Sequence, residues 1–525
     1  MNDVLIYPLQ NSKEYKDVIN CIKSNKGSLL INGLLSVQKP HITYSIYEEL
    51  NRPIVFVAST DLEAKKAYED LSFYMKDKVI YLGHQDIYFY HLDAKDRNEE
   101  AKKLKTLLRL AKGEKVVLVT STEAILRKYI PKETLLKNIF NYKIGDVINL
   151  DDLSDKLVSL GYERVSKIEG FGQFSIRGGI VDIFSLEYTN PIRMELFDDE
   201  IDSIRTFDVF SQKSIDKIKK FTITPSREFI YPENVKDAVD KIKKETGKLT
   251  NDDIFSDIDN IATKTYFEGL ENYIDYLYPS DNKSIFTYLN DEAVIFVNDI
   301  SRLKERCENF TEEFKENYKL NLERGLALKT QGNLIYNYKD IEFLSDDKKI
   351  VLNTLLPKPV NEFKVSNIVN FESREVPTFN AKMDILVEEL NRLKYNGYKI
   401  ILATSTLERA KKLNKDLLDL GLETSLSKKR DMEIKSSQII ITPAQINSGF
   451  EYKGIKFVVI TDNEMIGVHK RVSSTKKKKK KKGQKIESFL DLNIGDYVVH
   501  ENSGIGRYTG IEQIAVNGTK RIIWK

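Results

Sequence analysis

Residues 177–184 read Arg177-Gly178-Gly179-Ile180-Val181-Asp182-Ile183-Phe184, and residues 193–205 read Arg193-Met194-Glu195-Leu196-Phe197-Asp198-Asp199-Glu200-Ile201-Asp202-Ser203-Ile204-Arg205. Apolar and polar residues alternate through both stretches, the pattern of strands with one buried face. The alternation predicts that Ile180, Ile183, Met194 and Leu196 face a core, with Arg177, Arg193 and Phe197 outward. Arginine and aromatic side chains exposed together are the types that anchor protein interfaces. The stretch therefore predicts a docking surface and no catalytic centre.

On either side the pattern changes. Residues 1–145 alternate helix-period segments with the apolar runs 28–32, 54–58 and 115–120, which suit a parallel sheet buried on both faces. Between the second and third runs, Leu104, Leu107, Leu108 and Ala111 fall at helical spacing, an amphipathic helix from about Glu99. The same α/β pattern returns over 216–345 with the run 292–297, so residues 146–215 read as a domain inserted into the first. A further α/β unit spans 350–470, and its Ile400–Glu408 echoes Val55–Glu63: each is a strand, a capping Ser, Thr or Asp, and a helix start. Two related domains and a shared turn type account for that echo equally well. Residues 471–488 hold seven consecutive lysines, Lys476 to Lys482, a self-repelling linker. Residues 489–525 read as short glycine-joined strands, part of a small β-barrel. The fold class is multidomain α/β.

Bulk properties narrow the function. The 525 residues are 41% hydrophobic and 31% charged with a net charge of +3, so a phosphate-binding surface would have to be local. Two cysteines, Cys21 and Cys307, give neither metal spacing nor a disulfide framework, which fits a reducing cytoplasm. No apolar run approaches the ~18 residues of a membrane span. His500 has no second ligand near it in sequence and is expected to be structural.

After the first strand comes Gly33-Leu34-Leu35-Ser36-Val37-Gln38-Lys39-Pro40, where a P-loop would read G-x-x-x-x-G-K-[ST]. Gly33 and Lys39 match. Gln38 replaces the glycine that lets backbone N–H groups curl around phosphate, and Pro40 replaces the hydroxyl that holds magnesium. In Val294-Ile295-Phe296-Val297-Asn298-Asp299, an asparagine stands where a Walker B aspartate would. The loop alone fits an ordinary turn that happens to contain Gly and Lys.

The spacing of Arg177, Arg193 and Phe197, sixteen residues and then four, resembles the UvrA-binding domain shared by UvrB and the transcription-repair coupling factors (Mfd). The Phe457–Gly467 stretch and the Gly495–Ile511 segment resemble the latter family's approach to its RNA-polymerase-interacting domain. The broken loop and the short path from Gly83 to the helix near Glu99 also favour it over UvrB. The resemblance covers essentially the whole chain and implies a degenerate UvrB-like, RecA-like domain, an inserted UvrA-binding domain, a second α/β domain and an incomplete CarD/Tudor-like barrel.

By that resemblance Arg177, Arg193 and Phe197 contact UvrA, the arginines pairing with its carboxylates and Phe197 filling an apolar pocket, and the C-terminal segment meets the RNA polymerase β subunit. The internal alternative is that the arginines pair within the domain. The site at Gly33, Gln38, Lys39, Pro40, Asn298 and Asp299 is expected to bind no nucleotide. ATP, magnesium and double-stranded DNA belong to the motor domains of the full-length family, so no cofactor is expected for this chain. The implied role is recruitment of UvrA to polymerase stalled at DNA damage, with the docking face unmasked when no motor is present. The competing readings are an ATP-dependent helicase, a UvrB-like damage-loading ATPase, and a nucleic-acid tether through the lysine run. The last residues, Gly518 to Lys525, leave the family pattern in the way a one-base shift would, and the expectation is a frameshifted or otherwise truncated product.

Overall fold

The computed structural model describes residues 3–467 except 25–26, 90–96, 248–250, 280–281, 345–347, 358–359, 361 and 429–431, together with the strand backbones at 497–500, 504–507, 511–516 and 519–524. It divides into a large unit, residues 1–468, and a small one, residues 469–525.

The large unit is built on a seven-stranded parallel sheet, in the order Val365–Asn370, Ser28–Asn32, Lys349–Thr354, Val294–Val297, Ile54–Ala58, Val117–Ser121, Val79–Leu82. The central strands Ser28–Asn32, Ile54–Ala58, Val294–Val297 and Val117–Ser121 are buried along their whole length, as apolar runs covered by helices on both faces must be. The helix expected near Glu99 runs Arg97–Ala111 and buries Leu104, Leu107, Leu108 and Ala111. Two of the seven strands, Lys349–Thr354 and Val365–Asn370, lie in the region read from sequence as the start of the next domain. Both pair with Ser28–Asn32, so the first domain extends to about residue 371 and the boundary at 350 is corrected.

The next sheet has the order Ser373–Glu375, Phe450–Tyr452, Phe457–Thr461, Lys399–Thr404, Ile439–Pro443, Ser425–Leu426. The echo between the two α/β domains is geometrically close. Thr60 and Thr406 cap the helices Asp61–Met75 and Leu407–Asp419, each accepting from the N–H three residues on, with φ −138° at both and ψ 160° and 158°.

The insertion enters and leaves through an antiparallel pair, Phe140–Lys143 with Lys220–Ile223, so its stems lie outside the 146–215 read from sequence. Beyond the stems is a six-stranded sheet in the order Ser214–Lys217, Glu200–Phe207, Ile192–Phe197, Ile180–Ile183, Gln173–Arg177, Glu163–Arg164. Its inner face packs with Leu153 and Leu157 of the helix Leu150–Ser159, burying Phe174, Val181, Ile183, Ile192, Met194, Ile201 and Ile204.

In the small unit Tyr497–His500 pairs with Gly504–Arg507, and Ile511–Val516 with Thr519–Trp524, both antiparallel. The expected partial barrel is thus two hairpins, and no closed barrel forms among the described residues. The lysine run lies outside them.

Candidate functional site: a clamped arginine face and a filled nucleotide loop

The outer face of the inserted sheet follows from its register. Asp182 is paired with Ser175 on one side and Arg193 on the other, and Arg193 with Arg205. Laterally paired residues share a face, so Arg177, Asp182, Arg193 and Arg205 stand together. Val181 and Ile183 are the inward residues of their strand. Ile180 lies with Asp182 on the outer face, half-buried, which corrects its expected place in the core. Ile183 and Met194 are buried as expected, and Leu196 is half-buried.

Asp182 is the centre of this face. Its side chain is only 2% exposed, and it accepts from Arg177 Nη2 at 2.7 Å and from Arg193 Nε and Nη2 at 2.6 and 2.8 Å. The Arg193 guanidinium also donates to Gln212 Oε1 at 3.1 Å and lies 4.3 Å from the centroid of the buried Phe207 ring. Its side chain is 14% exposed, against 51% for Arg177. Hydrogen bonding to Asp182 holds the Arg193 pKa above its ordinary value. Arg193 therefore stands on the outer face as expected but is paired within the domain, and its expected exposure to solvent is corrected. Charge and depth explain this: a desolvated carboxylate needs cations at once, and a planar fork satisfies both its oxygens. Next to them, Glu195 pairs with Arg205 and accepts from Ser203 Oγ.

Phe197 is 81% exposed, at the end of its strand where Asp198 turns the chain with φ +60°. The neighbouring hairpin at the same end of the sheet, after Arg177, turns on Gly178 with φ +58°, and Gly179 accepts from the Leu196 N–H at 2.8 Å. At its Phe197 end the face thus offers a bare aromatic ring and a half-exposed guanidinium, beside the Asp182–Arg193 and Glu195–Arg205 pairs.

The second candidate, the loop after strand Ser28–Asn32, is closed from within. Gly33 has φ +86°, and a Cβ there would lie 2.1 Å from the Phe371 carbonyl oxygen, so the position needs glycine for its own packing. Gln38 opens the helix Gln38–Leu50; its Oε1 accepts from the Leu35 N–H at 2.9 Å, and its Nε2 donates to the Glu451 carbonyl at 3.3 Å. A backbone donor of the loop is thereby taken by Gln38, at the position where a P-loop would carry its second glycine. Lys39 is buried and donates to the Asn298 carbonyl at 2.6 Å. Burial lowers its pKa, opposed by the charges of Asp299 and Glu63. Asn298 donates to Glu63 at 3.4 Å, and Asp299 caps the helix Ile300–Glu323 by accepting from the Ser301 N–H. Pro40 is buried in the helix's first turn. Strand Phe450–Tyr452 of the next domain covers this helix, with Tyr452 Oη 3.1 Å from His41 Nδ1.

Among the described residues no group of His, Cys, Asp and Glu has the arrangement of a metal site. No described helix is long and apolar enough to cross a membrane. A cleft of about 1040 Å³ lies away from both candidates, and its Lys128 and Lys283 already pair with Asp275.

Two family models match the chain: the UvrB interaction domain over residues 140–229 and the CarD-like/TRCF RID domain over residues 492–523. Among curated proteins, the transcription-repair-coupling factor of Bacillus subtilis (strain 168) is 30% identical over 97% of this chain and 44% of its own length. That of Staphylococcus epidermidis (strain ATCC 35984) is 28% identical over 94% of this chain and 43% of its own length. That of Staphylococcus haemolyticus (strain JCSC1435) is 27% identical over 99% and 45% respectively. The chain spans less than half the length of these relatives.

Proposed function

We propose, from the homology of this chain to the N-terminal part of transcription-repair-coupling factors, that it is a UvrA-docking arm that links RNA polymerase stalled at DNA damage to excision repair. The observation that carries the reading is Phe197, bare to solvent beside the Asp182-clamped arginines, within the segment matched by the UvrB interaction domain. In this role the chain binds and does not catalyse. Arg177 reaches a carboxylate on UvrA with its exposed side, Phe197 enters an apolar recess, and Arg193 holds the face in shape. The segment matched by the CarD-like/TRCF RID domain would meet the polymerase, through its β subunit. ATP hydrolysis and translocation on duplex DNA would belong to the remainder of a full-length factor. A helicase or loading ATPase reading of this chain would need the Leu35 N–H and the Lys39 amine, which are both already bonded.

The test is equilibrium binding of UvrA to the chain without nucleotide or DNA, compared with the Arg177→Ala, Arg193→Ala, Phe197→Ala triple variant. Tight binding lost in the variant is expected; absence of binding by the folded wild-type chain would sink the reading.

A further inference from the structure

The turn at residues 208–213 joins strand Glu200–Phe207 to Ser214–Lys217. It is ordered by its own hydrogen bonds: Ser211 N–H to Asp208 Oδ1 at 2.7 Å, Gln212 N–H to the Asp208 carbonyl at 2.8 Å, and Asp208 N–H to the Lys213 carbonyl at 3.0 Å. Gln212, with φ +58°, faces two ways. Its Nε2 donates to the Val209 carbonyl at 2.8 Å, and its Oε1 accepts from Arg193 at 3.1 Å. The turn is thereby bolted to the arginine that Asp182 and Phe207 already hold. At its apex Phe210 is 91% exposed.

A single exposed apolar residue ordinarily needs no account. Phe210 differs because the turn that presents it is fixed to the docking face. Phe197 lies four residues along the strand from Arg193, roughly 13 Å at strand rise. Because the next strand runs antiparallel, the turn after Phe207 sits at the other end of that face.

We infer that Phe210 is a second aromatic anchor for UvrA, at the end of the face opposite Phe197. The complementary surface has two apolar recesses flanking an acidic group that meets Arg177. An anchor on a pre-ordered turn loses little entropy on binding, which is what makes rigid aromatic residues energetically dominant. This rests on the UvrA-docking reading, and the experiment separates the two.

UvrA binding by calorimetry is compared for the wild-type chain, Phe197→Ala, Phe210→Ala and Gln212→Ala, with thermal melts confirming folding. Expected are wild-type binding, loss in Phe197→Ala, at least about tenfold weakening in Phe210→Ala, and a smaller weakening in Gln212→Ala as the turn loosens. Phe210→Ala within about twofold of wild type, with Phe197→Ala impaired, overturns the second anchor and leaves the docking reading standing. A wild-type chain that fails to bind overturns both. Sedimentation showing that Phe210 instead closes a dimer of this chain also overturns the anchor.

Discussion

Asp182 and Arg193 form a two-point ion pair, Arg193 Nε and Nη2 lying 2.6 and 2.8 Å from the two carboxylate oxygens of a side chain that is almost wholly out of solvent. The pair is a foundation, and the exposed side of Arg177 rests on it. Removing the carboxylate strands Arg193 beside the buried Phe207 ring with only Gln212 to receive it. Asp182→Ala is therefore expected to lower the stability of the inserted domain by roughly 3 kcal/mol in a denaturant titration, and to weaken UvrA binding although Asp182 touches no partner. Arg177→Ala should weaken binding with little change in stability. Equal stability of wild type and Asp182→Ala would refute the clamp.

Gly33→Ala tests why the first glycine of the broken loop is there. Its φ of +86° and the close Phe371 carbonyl account for it without a phosphate. The substitution should cost at least about 2 kcal/mol in a denaturant titration, since it adds left-handed strain to a backbone clash. A variant as stable as wild type would show that the loop can relax.

The fold was legible where the signal is local. Apolar runs such as Val294–Val297, helix spacing at Leu104, Leu107 and Leu108, and the Thr60 and Thr406 caps all declare themselves within a dozen residues. What failed depends on pairing across long separations. The strands Lys349–Thr354 and Val365–Asn370 belong to the first sheet because of their register with Ser28–Asn32, and nothing local encodes that. The candidate site divides the same way. Alternation puts Arg177, Arg193 and Phe197 on the outer face, where they stand, but the burial of Arg193 against Asp182 depends on cross-strand register. Strict alternation would have placed Asp182, not Ile183, beside Ile180 and so revealed the partner. Gln212 and Phe210 carried no signal, since a turn residue's side chain has no period to read.

Nucleotide binding is the next point open to direct measurement. The Lys39 amine is committed to the Asn298 carbonyl, and the Leu35 N–H to Gln38. No heat is expected on titrating the chain with MgATP. Micromolar binding that disappears in Lys39→Ala would show that both side chains swing out to admit phosphate.

The same helix predicts an acid-sensitive joint. His41 is completely buried, its Nε2 2.7 Å from the Leu5 carbonyl and its Nδ1 3.1 Å from Tyr452 Oη, with its ring 4.8 Å from that of Phe450. Desolvation pushes its pKa down to about 4, opposed only by the Leu5 carbonyl. The unfolded chain binds this proton from about pH 6.5 downward and the folded chain only near pH 4, so stability is full above the unfolded value and is lost as pH falls through that window. The difference corresponds to about 3 kcal/mol. Asp70 works in the opposite direction: desolvation raises its carboxyl to about 6, so its contribution falls as pH rises through the range from the unfolded carboxylate value to that point. The informative quantity is therefore the gap between wild type and His41→Asn, which leaves Asp70 in place. Denaturation midpoints at pH 7 and pH 4.5 should show the wild type losing stability relative to the variant on acidification. Parallel losses in both chains would place the acid sensitivity elsewhere and leave His41 a purely packing residue.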